Sequence, residues 1–91
     1  MPTAAEEFAA KLRQDGFTEV ETKNAEPGRV NPPHAHDYDV CALVHDGEIT
    51  LTSEGGSRTY RAGEVFAMTR GCEHAERIGD AGMRYTVGRR R

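Results

Sequence analysis

The 91-residue chain is short of cysteine, and the two it has, Cys41 and Cys72, form no Cys-x-x-Cys pair. A thiolate zinc cluster is therefore not signalled, and the two read as reduced thiols of a cytoplasmic protein. Long apolar runs are also missing: no stretch approaches the roughly eighteen residues that a membrane span needs. Met1 to Phe8 lacks the basic start and apolar run of a secretory leader. Strong charge of either sign is absent. A net charge of −3 argues against nucleic acid, and Arg89-Arg90-Arg91 reads as a solvated basic tail. Neither a repeat of fixed period nor a low-complexity segment is present, which excludes an array or a long linker.

What remains is a globular profile rich in turns, with 36% hydrophobic and 30% charged residues and ten glycines. Its length fits one domain over residues 1–91, near the size at which a sheet protein buries only about 60–65% of its unfolded surface. Help from a partner chain is expected at that size, and a homodimer is the form it takes. Thr3 and Glu6 form a capping-box pattern, and Ala5, Phe8 and Leu12 recur at helical spacing until Gly16, which predicts one helix over about 3–15. Its narrow apolar stripe is suited to the outside of a sheet or to a second subunit.

From about 17 to 89 the chain reads as seven or eight short strands, an all-β barrel or sandwich. Expected strands are Phe17 to Thr22, Arg58 to Arg61, Val65 to Met68, Ala75 to Ile78 and Met83 to Val87. Val40 to Val44 is expected to pair with Glu48 to Thr52 in a hairpin across Asp46-Gly47. Gly79-Asp80-Ala81-Gly82 reads as another turn. Val40, Ala42, Val44, Ile49, Leu51, Phe66, Met68 and Val87 are the candidate interior, with Ile49 and Leu51 alternatively covering the outer sheet face.

The candidate site residues are histidines. His34 and His36 are two apart after Pro32-Pro33, so on an extended chain both rings project from one face, a geometry suited to a metal ion. His74 follows some forty residues later. Gly28, five residues, His34-x-His36 and then Gly47 resembles the first cupin motif, and Gly63, five residues, Thr69-x-Gly71-x-x-His74 resembles the second. The resemblance implies a double-stranded β-helix, jelly-roll-like, often dimeric. It also implies a divalent transition metal (iron, zinc, manganese or nickel) held by two histidines and a glutamate of the first motif and one histidine of the second. By that resemblance His34, His36 and His74 take the histidine places. The glutamate place falls at Val40, which holds no metal, and some cupin dioxygenases use three histidines alone.

Two carboxylates are candidates to replace the missing glutamate. Asp39 faces away from Val40 by alternation and reaches inward only through a bulge; otherwise it bonds local backbone. Glu76, two residues beyond His74, shares its face and is a fourth ligand, a partner orienting an imidazole, or the catalytic general base, unless it pairs with Arg84 at the barrel mouth. Tyr38 shares parity with the histidines and, with Val40, is expected to line the pocket. Cys72 reads as packing and His45 as facing solvent or a partner subunit. Three histidines on an apolar wall suit a small organic molecule with an anionic or chelating group. A metal-dependent enzyme of dioxygenase, isomerase or hydrolase type and a non-catalytic ligand-sensing barrel both fit. No helix-turn-helix pattern is present, so direct DNA binding is not expected.

Overall fold

The computed structural model describes residues Met1–Arg91. Helix α1 (Ala4–Gln14) is followed by six strands: β1 (Glu19–Ala25), β2 (Val30–His34), β3 (Asp39–Ser53), β4 (Gly56–Arg61), β5 (Val65–Met68) and β6 (His74–Arg90). The capping box forms as expected. Thr3 Oγ1 accepts from the Glu6 amide at 3.1 Å, and the Glu6 carboxylate accepts from the Thr3 amide at 3.1 Å. Leu12 and Phe17 are buried. They lie against β6 at Gly88, where an added Cβ would stand 3.0 Å from each, so the helix covers the outer face of the sheet. No helix is long and apolar enough to cross a membrane.

The expected seven or eight short strands are six, because β3 and β6 are single long strands of 15 and 17 residues. Asp46-Gly47 is not a hairpin. β6 runs antiparallel beside β3 throughout, pairing Asp39 with Arg90 at one end and Thr52 with Ala75 at the other. Two register shifts, between Val44 and Asp46 and between Gly47 and Ile49, absorb the residues that a tight turn would have used. Gly79 to Gly82 likewise lies inside β6 rather than ending it. Partner hydrogen bonds along both strands outweigh the local turn preference of Asp-Gly. The hairpin that does form is β3–β4, closed over Glu54-Gly55 with Ser53 opposite Gly56.

Each long strand serves both halves of one six-stranded sheet. The first half of β3 pairs with β5, and its second half with β4. The first half of β6 pairs with β2, and its second half with β1. The bends also switch which side chains face inward. On the interior side, the buried positions of β3 run Val40, Ala42, Val44 and then Ile49, and those of β6 run His74, Ile78 and then Met83 and Val87, while Thr86 is buried on the other face against Thr22 and His45. Even positions are interior before each bend and odd positions after it, so Ile49 lies in the core, as its place in the candidate interior allowed. Val40, Ala42, Val44, Ile49, Phe66, Ile78, Met83 and Val87 form that core, with Leu51, Tyr60, Met68 and Tyr85 packed against it. Met83 and Val87 enter it only through the switch in β6.

Gly47 has φ of +79°, and a Cβ there would overlap the Gly82 carbonyl oxygen and stand 2.8 Å from its carbon. Gly28 also has positive φ, +70°, but open space around it. Gly47→Ala is therefore expected to cost about 3 kcal/mol or more and Gly28→Ala only about 1 kcal/mol. Urea unfolding of the two variants checks the order, and equal losses would show that the β3–β6 crossing is not a tight contact.

Candidate metal centre and cavity

The two prolines before the first histidine set its position. Neither Pro32 nor Pro33 has an N–H to give β6, and the β2–β6 register shifts between Asn31 and His34. The ladder then resumes with His34 opposite His74. His36 stands beyond the end of β2, in the connection to β3, and its carbonyl accepts from the Gly71 amide at 2.8 Å. Gly71 has φ of +77°, which allows the Thr69–Glu73 turn to present that amide. The two histidine-bearing stretches are thus tied together by backbone.

The rings of His34 and His36 are 4.8 Å apart, those of His34 and His74 4.5 Å, and those of His36 and His74 5.3 Å. Glu76 completes the group: one ligand atom from each of His34, His36, His74 and Glu76 lies within 4.8 Å of the others. His74 is buried and the other three are half-buried.

The hydrogen bonds decide which nitrogens are available. His34 Nδ1 is 2.7 Å from the Pro32 carbonyl oxygen and His74 Nδ1 is 3.0 Å from that of Cys72. A nitrogen facing a carbonyl carries the proton, which leaves the Nε2 lone pair of each ring pointing inward. Both lone pairs meet the same atom: Glu76 Oε2 lies 3.1 Å from His74 Nε2 and 3.8 Å from His34 Nε2. Acceptors converging on one another are held together by a cation between them, a proton or a metal ion. Glu76 Oε1 is fixed by Asn31 Nδ2, which donates at 2.8 Å. Two anchored imidazoles, a third nearby and a braced carboxylate are a donor set suited to a divalent transition metal.

Asp39, the other candidate carboxylate, is not in this group. Its oxygens accept from the Arg70 amide at 2.9 Å and from Arg90 Nη2 at 3.2 Å, and those partners hold its pKa below the ordinary value, the amide first. The local backbone bond expected for it is instead a long-range one. Arg84 pairs with Asp46 at 3.8 Å rather than with Glu76. Cys72 contributes its carbonyl while its thiol is exposed. His45 does not simply face solvent: its Nε2 is 2.7 Å from Thr86 Oγ1, which is itself 2.7 Å from Thr22 Oγ1.

His34, His36 and Glu76 open into a cavity of about 490 Å³. Tyr38 and Val40 line it, with Ile49, Phe66, Met68 and Val87 as apolar wall. Tyr38 stacks on His36 with centroids 4.8 Å apart and planes at 23°. Tyr85 also lines the cavity, and burial, then the Glu76 charge, pushes its phenol pKa up, so it stays a proton donor. The basic tail is not free: Arg89 lines the cavity, Arg90 donates to the Asp15 carbonyl at 2.8 Å, and Arg91 donates to Glu19 at 3.0 Å. Asn31, Tyr85 and Arg89 were missed as site residues. Asn31 precedes the register shift at the prolines, and the other two have inward parity only after the bend in β6.

A family model described as a cupin domain matches residues 23–87. No curated protein sequence matches the chain. Among solved structures it is similar to a protein of unknown function from Rhizobium leguminosarum bv. viciae 3841, with a TM-score of 0.73 and 15% identity over 99% of this chain and 95% of that one. Protein NMB1881 from Neisseria meningitidis is similar over 100% of both chains, with a TM-score of 0.70 and 17% identity. The polyketide cyclase RemF from Streptomyces resistomycificus is similar with a TM-score of 0.63 and 23% identity, over 85% of this chain and 58% of that one. At these identities the likeness is one of fold.

Burial, then the neighbouring imidazoles of His34 and His74, lowers the His36 pKa below 6.5; burial, then Arg84, lowers that of His45. The unfolded chain therefore takes up protons first as pH drops, so stability is full above about pH 6.5 and declines as pH falls through that value. Urea midpoints of chelator-treated protein are expected to fall between about pH 7.5 and 5, less steeply in His36→Asn. A flat profile would show that neither imidazole is held neutral by the fold.

Proposed function

Since the chain belongs to the cupin-domain family, we propose that it is a barrel that binds one divalent transition metal ion and takes a small organic molecule into the cavity beside it. The observation that carries this reading is the convergence of both anchored Nε2 lone pairs on Glu76 Oε2, at the wall of a cavity of about 490 Å³. His34, His36, His74 and Glu76 are the proposed ligands. An ion bound there supplies Lewis acidity to a carbonyl, carboxylate or water in its remaining positions.

The chain's own residues do the rest. The Pro32 and Cys72 carbonyls fix the two tautomers, and Asn31 holds the Glu76 carboxylate in place. The carboxylate arrives from β6 where the resemblance places it on β3, at Val40, and Val40 is left as apolar wall. Tyr85 supplies a hydroxyl that stays protonated beside the ligand. The cavity volume suits a small metabolite rather than a polymer. A cytoplasmic homodimer completes the reading: the thiols are free, and β1, β2, β4 and β5 each pair on one side only, leaving edges for a second copy to cover.

Elemental analysis of protein purified without an affinity tag or added metal is expected to find near one equivalent of iron, zinc, manganese or nickel, and none in the His34→Ala/His36→Ala/His74→Ala variant. Single His36→Ala and Glu76→Gln variants should each weaken metal binding roughly tenfold. Full occupancy in Glu76→Gln together with lost turnover would make Glu76 a general base instead of a ligand. An empty wild-type protein that cannot be reloaded would favour a metal-free sensing barrel.

A further inference from the structure

The charge of the cavity differs in sign from that of the chain. The protein carries a net charge of −3. Yet Lys23, Arg29 and Arg89 line the cavity, and Glu76 is the one acidic residue that does. Glu76 is already engaged by Asn31 and the histidines. It leaves the basic side chains unneutralised.

The three cations come from different elements. Lys23 on β1 lies opposite Tyr85 of β6, and Arg89 lies further along β6. Arg29 stands just before β2, where its carbonyl accepts from the Ile78 amide at 2.8 Å. Lys23 has a weak partner, Glu21 at 4.0 Å. Arg89 approaches Glu19 and Glu21 at 3.8 and 3.7 Å, and its guanidinium stands 5.6 Å from the centroid of Tyr38. Those carboxylates are exposed and do not line the cavity. Such exposed pairs contribute little and are displaced at small cost. Arg29 has no carboxylate within ion-pair distance at all, so its guanidinium is free for a ligand.

An apolar wall with basic groups on several sides selects by charge as well as shape. We propose that the cavity is specific for a small organic acid, whose carboxylate or phosphate is held by Arg29 in the positive field to which Lys23 and Arg89 add, while its apolar body lies against Val40, Ile49 and Phe66. This rests on the cavity reading above and names the ligand class; it does not depend on the metal. Guanidinium forks bind either oxyanion through paired N–H donors, and an uncharged analogue leaves them unmatched.

The test uses the full chain after chelator treatment, so that no ion competes for the anion. Nuclear magnetic resonance titrations with hexanoate, hexanamide, monobutyl phosphate and butanol compare charged and neutral probes of similar size. Both anions are expected to bind roughly tenfold more tightly than their neutral partners, and Arg29→Gln should remove that preference without changing amide binding. A preference for only one of the anions identifies the acid type. Arg58→Gln, the same charge change on β4 outside the cavity, should leave every affinity unaltered. Equal affinity for acid and amide, an unaffected Arg29→Gln, or no anion binding below about 10 mM would overturn the proposal. Metal content is read separately, so a metal-free protein that still prefers anions leaves this inference standing, and a metal-loaded one without the preference refutes it alone.

Discussion

The antiparallel pairing of β3 with β6 is the constraint on which the molecule depends. These strands are the only ones with partners on both sides, and every other strand hangs from one of them. Their shared bend divides one six-stranded sheet into two halves of opposite inward parity, and both halves contribute to one core. The crossing is possible because two backbones approach at Gly47 and Gly82 more closely than a side chain permits. Without that approach the strands would run on flat, and the apolar positions of their two halves would lie on opposite faces.

The same pairing brings the chemistry together. His74 and Glu76 occupy the start of β6, and β2 brings His34 against them across a ladder interrupted by prolines. Backbone carbonyls then orient two of the rings, so the direction of the inward lone pairs is determined by main chain rather than by mobile side chains. The turn bearing Gly71 adds a clamp: its amide holds the His36 carbonyl, and the neighbouring Arg70 amide holds Asp39. A site assembled this way needs little reorganisation to accept a charged ligand.

Much of this was legible in the residues. The helix and its cap follow from Thr3, Glu6 and Leu12, and the two glycine-histidine patterns carry the barrel. Local signals failed where long-range pairing overrides them. Asp46-Gly47 has the chemistry of a two-residue turn, but an uninterrupted partner strand makes it a bulge. Alternation is reliable on either side of that bulge and fails across it, between Val44 and Ile49 in β3 and between Ile78 and Met83 in β6. Glu76 was a candidate because it shares its half of β6 with His74, and the structure sets the two side chains side by side. Asp39 was ambiguous because nothing in its neighbourhood announces Arg90, 51 residues away.

The switch of inward parity inside β6 bears on how such a chain can diverge. Gly79 to Gly82 links the part of the strand that bears His74 and Glu76 to the part that bears Tyr85, Val87 and Arg89. Inserting or deleting one residue there would turn the second set outward and leave the first in place, separating the histidines from the rest of the cavity in a single step. The tip at Glu54-Gly55 joins strands on which none of these residues stands, and it is free to change length. Descent with altered loop length is therefore open at one end of the barrel and closed at its waist, where lineages must change by substitution alone.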